Sequence, residues 1–470
     1  MAETRAAAVH GDSRVQNSHR SSKRSDRSGA RSPSSIRRNR RVIRGAGKLA
    51  ASIRARYRLG FGDGYREGVQ SGIQSFPTLF DGTSIVIPTF NQLEMLRTCV
   101  NSIIENTDLP YEIIVVDNAS EDGTDVYLRK LGGQVRYRVL ETNRGFAGAI
   151  NAGLMMAKGR TIMLLNNDTI ATENWLDNMI DCLNSDDRIG MVGPITNYIS
   201  GEQKVDVPYS KVEDMPAFAR LNNHQDPSRW RKIERLAGFC LLFRRELFDS
   251  VGYFDEGYEI GNFEDDDYNI RVRLLGKSLV IAQDSFIHHF GSVSMKALGD
   301  RFQEVNDRNE FYFMDKWNNP YEWIPFAHER EAQTGEKIAH TGDYFPENVV
   351  VQGAGANYYW IEGGVRRGVE GTFSFPAVRV SQVDLRRWPV GEPIRAVEAE
   401  HRWHSTTVAK LPDGAFYYIE GTKARKLMSA AAMRMWNLHL KPQTEMTEEH
   451  LGGLEQGLPI IAPPLLKQLL

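Results

Sequence analysis

Between Ser84 and Leu165, short apolar runs alternate with amphipathic stretches, and this alternation leaves few folds open. Ser84-Ile-Val-Ile-Pro88 reads as a strand closed by proline. Leu93, Leu96, Val100, Ile103 and Ile104 then share one face at a 3.6-residue spacing, which predicts a helix capped by Asn91. Glu112–Asp117 is an unbroken apolar run, the mark of a strand buried on both faces. A helix over Thr124–Leu131, a strand over Val135–Leu140, a helix over Phe146–Ala157 and a strand over Thr161–Leu165 complete a βαβαβαβ order. With connections this short, the order implies an α/β domain whose parallel strands are joined by right-handed crossovers.

Parallel strands end on one edge, and here that edge is polar. Thr89 follows the first strand, Asp117 and Asn118 the second, and Asn166-Asn167-Asp168 the fourth. Ligands of open α/β sheets bind outside those strand ends, so a nucleotide site is the default reading. There is no Gly-x-x-x-x-Gly-Lys-Ser/Thr, and no Gly-x-Gly-x-x-Gly follows the first strand. Phosphates must then be held by something else, and a divalent cation on Asp168 is the natural substitute, since hard cations take oxygen ligands. An Asx turn leaving the strand accounts for the same three residues without any ligand.

A length of 470 residues allows two or three domains. The net charge of −2 hides an asymmetry: residues 1–60 hold sixteen Lys/Arg against three acids, while the remainder holds 42 basic and 57 acidic residues. Residues 1–42, rich in Ser and Arg, read as a disordered arm with some likeness to an organellar transit segment. Val42–Leu59 adds apolar residues among arginines, which suits either a helix lying on an anionic membrane or a solvated basic tail. No nucleic-acid-binding motif accompanies this charge, so nucleic acid is not an expected partner. Residues 61–82 are glycine-rich and read as a linker. Cys99, Cys182 and Cys240 lack metal or disulfide spacing and suit a reducing compartment. No run reaches the ~18 apolar residues of a membrane span. The expected location is cytoplasmic, with peripheral contact at the inner face of the membrane through the arm.

Longer motifs carry a resemblance. Ser84–Thr89, Val115-Val116-Asp117-Asn118-Ala119-Ser120 and Asn143-Arg144-Gly145-Phe146-Ala147-Gly148-Ala149-Ile150-Asn151 resemble the family 2 glycosyltransferases of the GT-A fold. So do Gly238-Phe239-Cys240-Leu241-Leu242-Phe243-Arg244, Phe254-Asp255-Glu256, Glu264-Asp265-Asp266-Asp267 and His288-His289-Phe290-Gly291-Ser292. In family order across residues 83–320, they look most like the bacterial rhamnosyltransferase-type members. The resemblance implies an inverting transfer of a sugar from a UDP- or dTDP-type donor to a hydroxyl of a glycan, lipid-linked or protein acceptor. It implies that Pro88, Thr89 and Asp117 contact the base, with Asn118, Asn143, Gly145, Asn151, Asn166 and Asn167 lining the donor pocket. Asn166-Asn167-Asp168 stands where the family usually has Asp-x-Asp, which leaves Asp168 as the firm ligand for Mn2+ or Mg2+. Gly238 and Phe239 would lie on the acceptor side. Such a sequence also fits a protein that binds a nucleotide sugar without turnover, or a scaffold.

Inverting transfer needs a general base on the face opposite the leaving group. Glu264–Asp267 supplies it on the family match: Asp265 as base, Glu264 as its alternative, Asp267 on the acceptor side or orienting a neighbour. Acids also favour a first helical turn whatever their function, but four in a row repel one another. The resemblance implies a histidine here that completes the metal shell or contacts the diphosphate, with His289 preferred to His288. Trp175, Trp230 and Trp317 could stack sugars or fill the core. After residue 330, Tyr358-Tyr359-Trp360-Ile361-Glu362-Gly363 recurs as Phe416-Tyr417-Tyr418-Ile419-Glu420-Gly421, with Arg367 falling on Arg425. This points to a duplicated β-rich module that binds acceptor or partner, forms a homo-oligomer, or packs hairpin on hairpin. The expected architecture is a GT-A domain over 83–330 with a mostly parallel sheet, then a β-rich module over 331–470 ending in a helical, Pro-broken tail.

Overall fold

The computed structural model describes residues 78–291, 299, 301–335 and 337–470; the expected arm (1–60) and most of the linker (61–82) lie outside them. β1 (Phe80–Thr89), α1 (Leu93–Asn106), β2 (Tyr111–Asp117), α2 (Thr124–Lys130), β3 (Arg136–Val139), α3 (Gly145–Met156) and β4 (Gly159–Leu165) follow the order read from the sequence. β1 pairs in parallel with β2 and β4, and β2 with β3, so the four carboxyl ends share one edge. Beyond Val86 β1 has no β4 partner, and Pro88, which lacks an N–H, interrupts no ladder on that side. β1 starts earlier than Ser84 because the Phe80 N–H bonds Lys158 O ahead of a register shift, an irregularity that makes Asp81 and Gly82 look like linker. The α1 cap differs too. Asn91 is taken up by Ser120 and Glu121, and the Leu93 N–H donates instead to Asp122 Oδ2 at 2.8 Å, a residue on the next loop.

β5 (Thr169–Ile170), α4 (Trp175–Asn184), β6 (Ile189–Ile195), α5 (Met215–Asn222), β7 (Trp230–Ile233), β8 (Cys240–Arg244), α6 (Arg245–Val251), α7 (Glu264–Leu274), β9 (Ser278–Phe286) and β10 (His288–His289) complete the α/β half. The eight-stranded sheet has the order β3-β2-β1-β4-β8-β6-β9-β7. β8 runs against β4 and β6, and β7 against β9; the other strands are parallel, as expected of a mostly parallel sheet. Separately, β10 pairs antiparallel with β5 and sets His289 opposite Thr169, just past Asp168.

After α8 (Arg301–Trp317) and α9 (Trp323–Thr334) the chain builds one unit twice. The first copy is β11 (Val349–Gln352), β12 (Tyr358–Glu362), β13 (Val365–Glu370), β14 (Val378–Arg379), α10 (Gln382–Arg387) and β15 (Val390–Arg395), followed by the connecting α11 (Ala396–Ser405). The second is β16 (Thr407–Lys410), β17 (Phe416–Glu420), β18 (Lys423–Lys426), an inserted α12 (Ala430–Met435), β19 (Gln443–Glu445), α13 (Glu448–Gly452) and β20 (Glu455–Gln456). In each copy three antiparallel strands are flanked by two parallel edge strands, one on either side. Trp360 and Tyr418 hold equivalent positions, and both are buried.

The expected boundary near residue 330 falls inside one compact unit beginning at Thr78, and a continuous core joins Val86 and Ile150 to Trp360, Tyr418 and Ile461. The last residues belong to that core, with Ile460, Ile461, Leu466 and Leu470 buried. Trp175 and Trp317 are core residues, and the Trp230 indole N–H bonds Asp284, which leaves the stacking role without support at the first two. The three cysteines are buried, and burial pushes the Cys99 thiol up to about 12.

A cluster of charges lies within the core. Lys316 Nζ sits 2.6 Å from Asp255 Oδ2 and bonds Asp267 Oδ1, while Arg271 Nε is 2.8 Å from Asp267 Oδ2; none of the four side chains is exposed. The Trp317 indole N–H also donates to Asp267. Burial opposes ionisation of Asp267, yet Lys316 and Arg271 hold its carboxyl below the usual range. Removing one partner strands buried charge on the others. Lys316→Met should therefore lower stability by about 3–5 kcal/mol in urea unfolding.

Candidate active site

The strand exits converge. From β2, Asp117 Oδ1 accepts the Ser120 N–H at 2.9 Å, whereas Oδ2 is buried without a hydrogen-bond partner. Asn118 ties the next exit in place: its amide donates to Asn143 Oδ1 and Gly145 O and accepts from the Arg144 N–H. Gly145 has a φ of 73°, and a Cβ there would lie 3.2 Å from the Ile260 nitrogen, so glycine suits both the turn and the close approach. Thr89 receives the Asn167 amide at 2.9 Å, which joins the ends of β1 and β4. Pro88, Thr89, Asp117, Asn118, Asn143, Gly145 and Asn167 thus form one connected edge.

Asp168 Oδ1 lies 3.2 Å from His289 Nε2. His289 Nδ1 is 2.7 Å from the Tyr198 carbonyl, which can only accept, so Nδ1 carries a proton and Nε2 faces the carboxylate. Nε2 and the Asp168 carboxylate together present one nitrogen and one oxygen donor to the same point. The Nδ1–H to carbonyl bond is the usual support of a metal-binding histidine. Phe239 stacks on the ring with centroids 5.2 Å apart, and Asn197 bonds both backbone groups of His289. Gly291 (φ 89°) lets Tyr198 close over this corner, since a Cβ would come within 2.3 Å of its ring. His288 turns away to the Tyr209 hydroxyl. Asn166 Oδ1 has no hydrogen-bond partner, and its backbone N–H donates to Phe239 O. Among the described residues no three His, Cys, Asp or Glu gather as a metal cluster. The donor set that fits a hard cation is therefore Asp168 with His289, completed by ligand oxygens.

The acidic run forms the first turn of α7, and three of its carboxylates face different surroundings. Asp265 Oδ2 accepts the Gly238 N–H at 2.8 Å, and a Cβ on Gly238 would press on Asp265 at 3.0 Å. Arg235 pairs with Asp266 and stands 3.7 Å from Asp265. Burial and the charges of Asp265 and Asp266 push the Glu264 carboxyl well above its usual range, and its Oε2 is buried without a hydrogen-bond partner. Burial and Asp265, against the pull of Arg235, push Asp266 up to about 6. Gly238–Phe239 thus spans from the acid turn to the Asp168–His289 corner.

Two expected site residues sit elsewhere. Asp267 points into the buried Lys316 cluster, so it holds α7 and does not face an acceptor. Asn151 is fully buried, with its amide bonded to Phe254 and Glu256, so it supports the pocket from behind. Local sequence signals gave no hint of Arg235, Asn197, Tyr198 or Asn309. Asn309 on α8 is especially telling: its side chain bonds Glu259 N and the carbonyls of Glu259, Gly261 and Asn262. It thereby holds a loop in which Ile260, Asn262 and Phe263 all have left-handed φ, a costly backbone for a β-branched residue. That loop bridges the strand-exit edge, through the Phe146 N–H to Ile260 O bond, and the acid turn.

A family model described as Glycosyl transferase family 2 matches residues 84–252. The uncharacterized glycosyltransferase YwdF of Bacillus subtilis is 30% identical over 189 residues, spanning 40% of this chain and 67% of that protein. The chain belongs to glycosyltransferase family 2. Its α/β half has the GT-A fold of that family. The chondroitin synthase of Pasteurella multocida is 26% identical to this glycosyltransferase over 241 residues, 44% of this chain but 24% of the synthase. The mannosyltransferase PcManGT from Pyrobaculum calidifontis, solved with GDP-Man and Mn2+, aligns at 18% identity and a TM-score of 0.35, over 55% of this chain and 78% of that one.

The acid turn makes stability depend on pH. Between the ordinary value of 3.8 and about 6, folded Asp266 keeps a proton that the unfolded chain has released. Stability from this group is full at low pH and falls as pH rises through that window. Asp266→Asn should flatten the decline in Tm from pH 4 to 6, on the order of 2 kcal/mol at most. Asn309→Ala should release the strained loop and raise its amide hydrogen exchange, with Asn309→Asp rescuing only in part because it loses the donor group.

Proposed function

We propose that this family 2 member is an inverting glycosyltransferase that moves a hexosyl or rhamnosyl unit from a nucleoside-diphosphate donor to an acceptor hydroxyl. The acceptor is a cell-surface glycan or glycoconjugate. One observation carries the reading: the Asp168–His289 corner and the Asp265 turn are joined by the single segment Gly238–Phe239, at the edge where the parallel strands end. A donor diphosphate and a general base belong on either side of the sugar carbon.

In this mechanism the unpartnered Oδ2 of Asp117 accepts the N–H of a pyrimidine base of UDP or dTDP type, and the Asn118–Gly145 edge shapes the nucleoside pocket. Asp168 and His289 are the residues that would hold Mn2+ or Mg2+. When bound, the cation neutralises charge growing on the leaving group. Asp265 takes the proton of the acceptor hydroxyl as its oxygen bonds the sugar carbon, and the broken bond's electron pair leaves on the diphosphate. Gly238 N–H and Arg235 orient the Asp265 carboxylate. Burial and the charge of Asp265 raise the Glu264 carboxyl well above its usual range, which favours Asp265 over Glu264 as the base.

A panel of nucleotide sugars with Mn2+, read as released nucleoside diphosphate, tests this reading. Asp265→Asn should lower turnover about 10²–10⁴-fold while leaving donor binding within a few-fold. Donor binding without turnover across the panel would make the protein a nucleotide-sugar binder instead. His289→Ala should raise the half-saturating Mn2+ concentration about tenfold or more, measured by titrating metal at fixed donor.

A further inference from the structure

A cavity lies away from the strand exits, between the two copies of the C-terminal unit. It has a volume of about 470 Å3, within the ~300–1,000 Å3 range of small-molecule sites. One wall comes from the segment His340–Glu347, another from Trp388 of the first copy, and a third from Glu420, Thr422 and Arg425 of the second. We propose that this cavity binds an uncharged saccharide, the glycan portion of the acceptor, and so rests on the transfer reading above.

Charge argues first. The wall carries four acids and four Lys/Arg, and these occur partly as matched pairs: Arg425 with Glu420 at 3.5 Å, and Lys423 with Glu455 at 3.3 Å. A balanced wall gives no net attraction to a phosphate or a polyanion, which binding sites meet with excess positive charge. A polyol needs no net charge. It needs fixed donors and acceptors side by side, and salt-bridged side chains supply both.

The carboxylates are anchored with capacity left over. Glu347 accepts the Gly363 and Gly364 N–H groups, one on each oxygen, and its own N–H donates to Glu420 Oε1. Arg425, 5% exposed, is fixed by the carbonyls of Leu458, Phe345 and Asp343, so the Glu420–Arg425 pair is held before any ligand arrives. An ionised carboxylate offers about four lone-pair sites, so hydroxyls still find acceptors there. Half-buried Trp388, with its ring 6.3 Å from Phe345, gives the one large aromatic wall onto which the C–H face of a pyranose packs.

The repeat provides an internal comparison. Glu362 and Arg367 occupy the positions of Glu420 and Arg425 in the first copy, but there Arg402 reaches over and pairs with Glu362. The first copy's pair thus takes a second arginine, whereas the second copy's pair, the more buried of the two, lines the cavity. Hairpin packing alone demands no such difference.

The test uses the full chain and neutral di- and trisaccharides built from glucose, galactose, rhamnose and N-acetylhexosamines, observed by saturation-transfer NMR and calorimetry. At least one should bind at millimolar concentration or tighter. Trp388→Ala should weaken it about tenfold or more. Thr422→Trp, an exposed rim change that fills the mouth without touching the core, should do the same with Tm unchanged. Asp265→Asn should leave this binding intact. The proposal is overturned if no saccharide binds, if Thr422→Trp leaves binding unaltered, or if inorganic phosphate competes for the cavity. Saccharide binding without any donor turnover would sink the transfer reading alone; turnover without binding here would sink this site alone.

Discussion

Lys316 has no exposed surface, so its charge survives in the core only because Asp255 and Asp267 stand against it. That constraint organises the molecule. Asp267 belongs to the helix whose first turn carries Asp265; Asp255 belongs to the turn that also carries Glu256. Glu256 in turn accepts from Asn151 on the donor-side helix α3 and from the backbone of Lys467 and Gln468. Gln468 completes the circuit by bonding Arg144 and Gly148 at the start of that helix. A displacement of α8 would therefore reach Asp265, the strand-exit edge and the chain's last residues together, because buried charges tolerate few alternative arrangements.

This wiring explains why the C-terminal units are not an appendage. Their core is continuous with that of the sheet, and the segment after β20 runs back beneath α3. The duplication also shows how one motif diverges. Both copies keep the buried aromatic at Trp360 and Tyr418 and the Glu–Arg pair, while α12 inserted in the second copy displaces its later strands. The inner strands answer to packing; the ends of the hairpins are free to vary.

Strain at the site is concentrated in one place. The loop through Ile260, Asn262 and Phe263 adopts a backbone that costs roughly 1–3 kcal/mol per residue, and Asn309 offsets it with four hydrogen bonds. The loop touches both the strand-exit edge and the acid turn, so its shape sets their separation.

The sequence by itself determined the α/β half and the composition of its edge. Apolar periodicity depends only on neighbours along the chain, so β1 to β4, their helices and the polar exits Thr89, Asp117 and Asp168 could be read in order, and the repeat at Tyr358 and Phe416 announced a duplication. Only the tertiary structure decided the partnerships. Asp122 rather than Asn91 caps α1, Asp267 turns inward to Lys316, Asn151 props the pocket from behind, and Arg235, Asn197, Tyr198 and Asn309 enter from distant segments. The reason is physical. A carboxylate's role depends on which charges and donors surround it when water is excluded, and those neighbours are set by folding across tens of residues, beyond the reach of any local pattern.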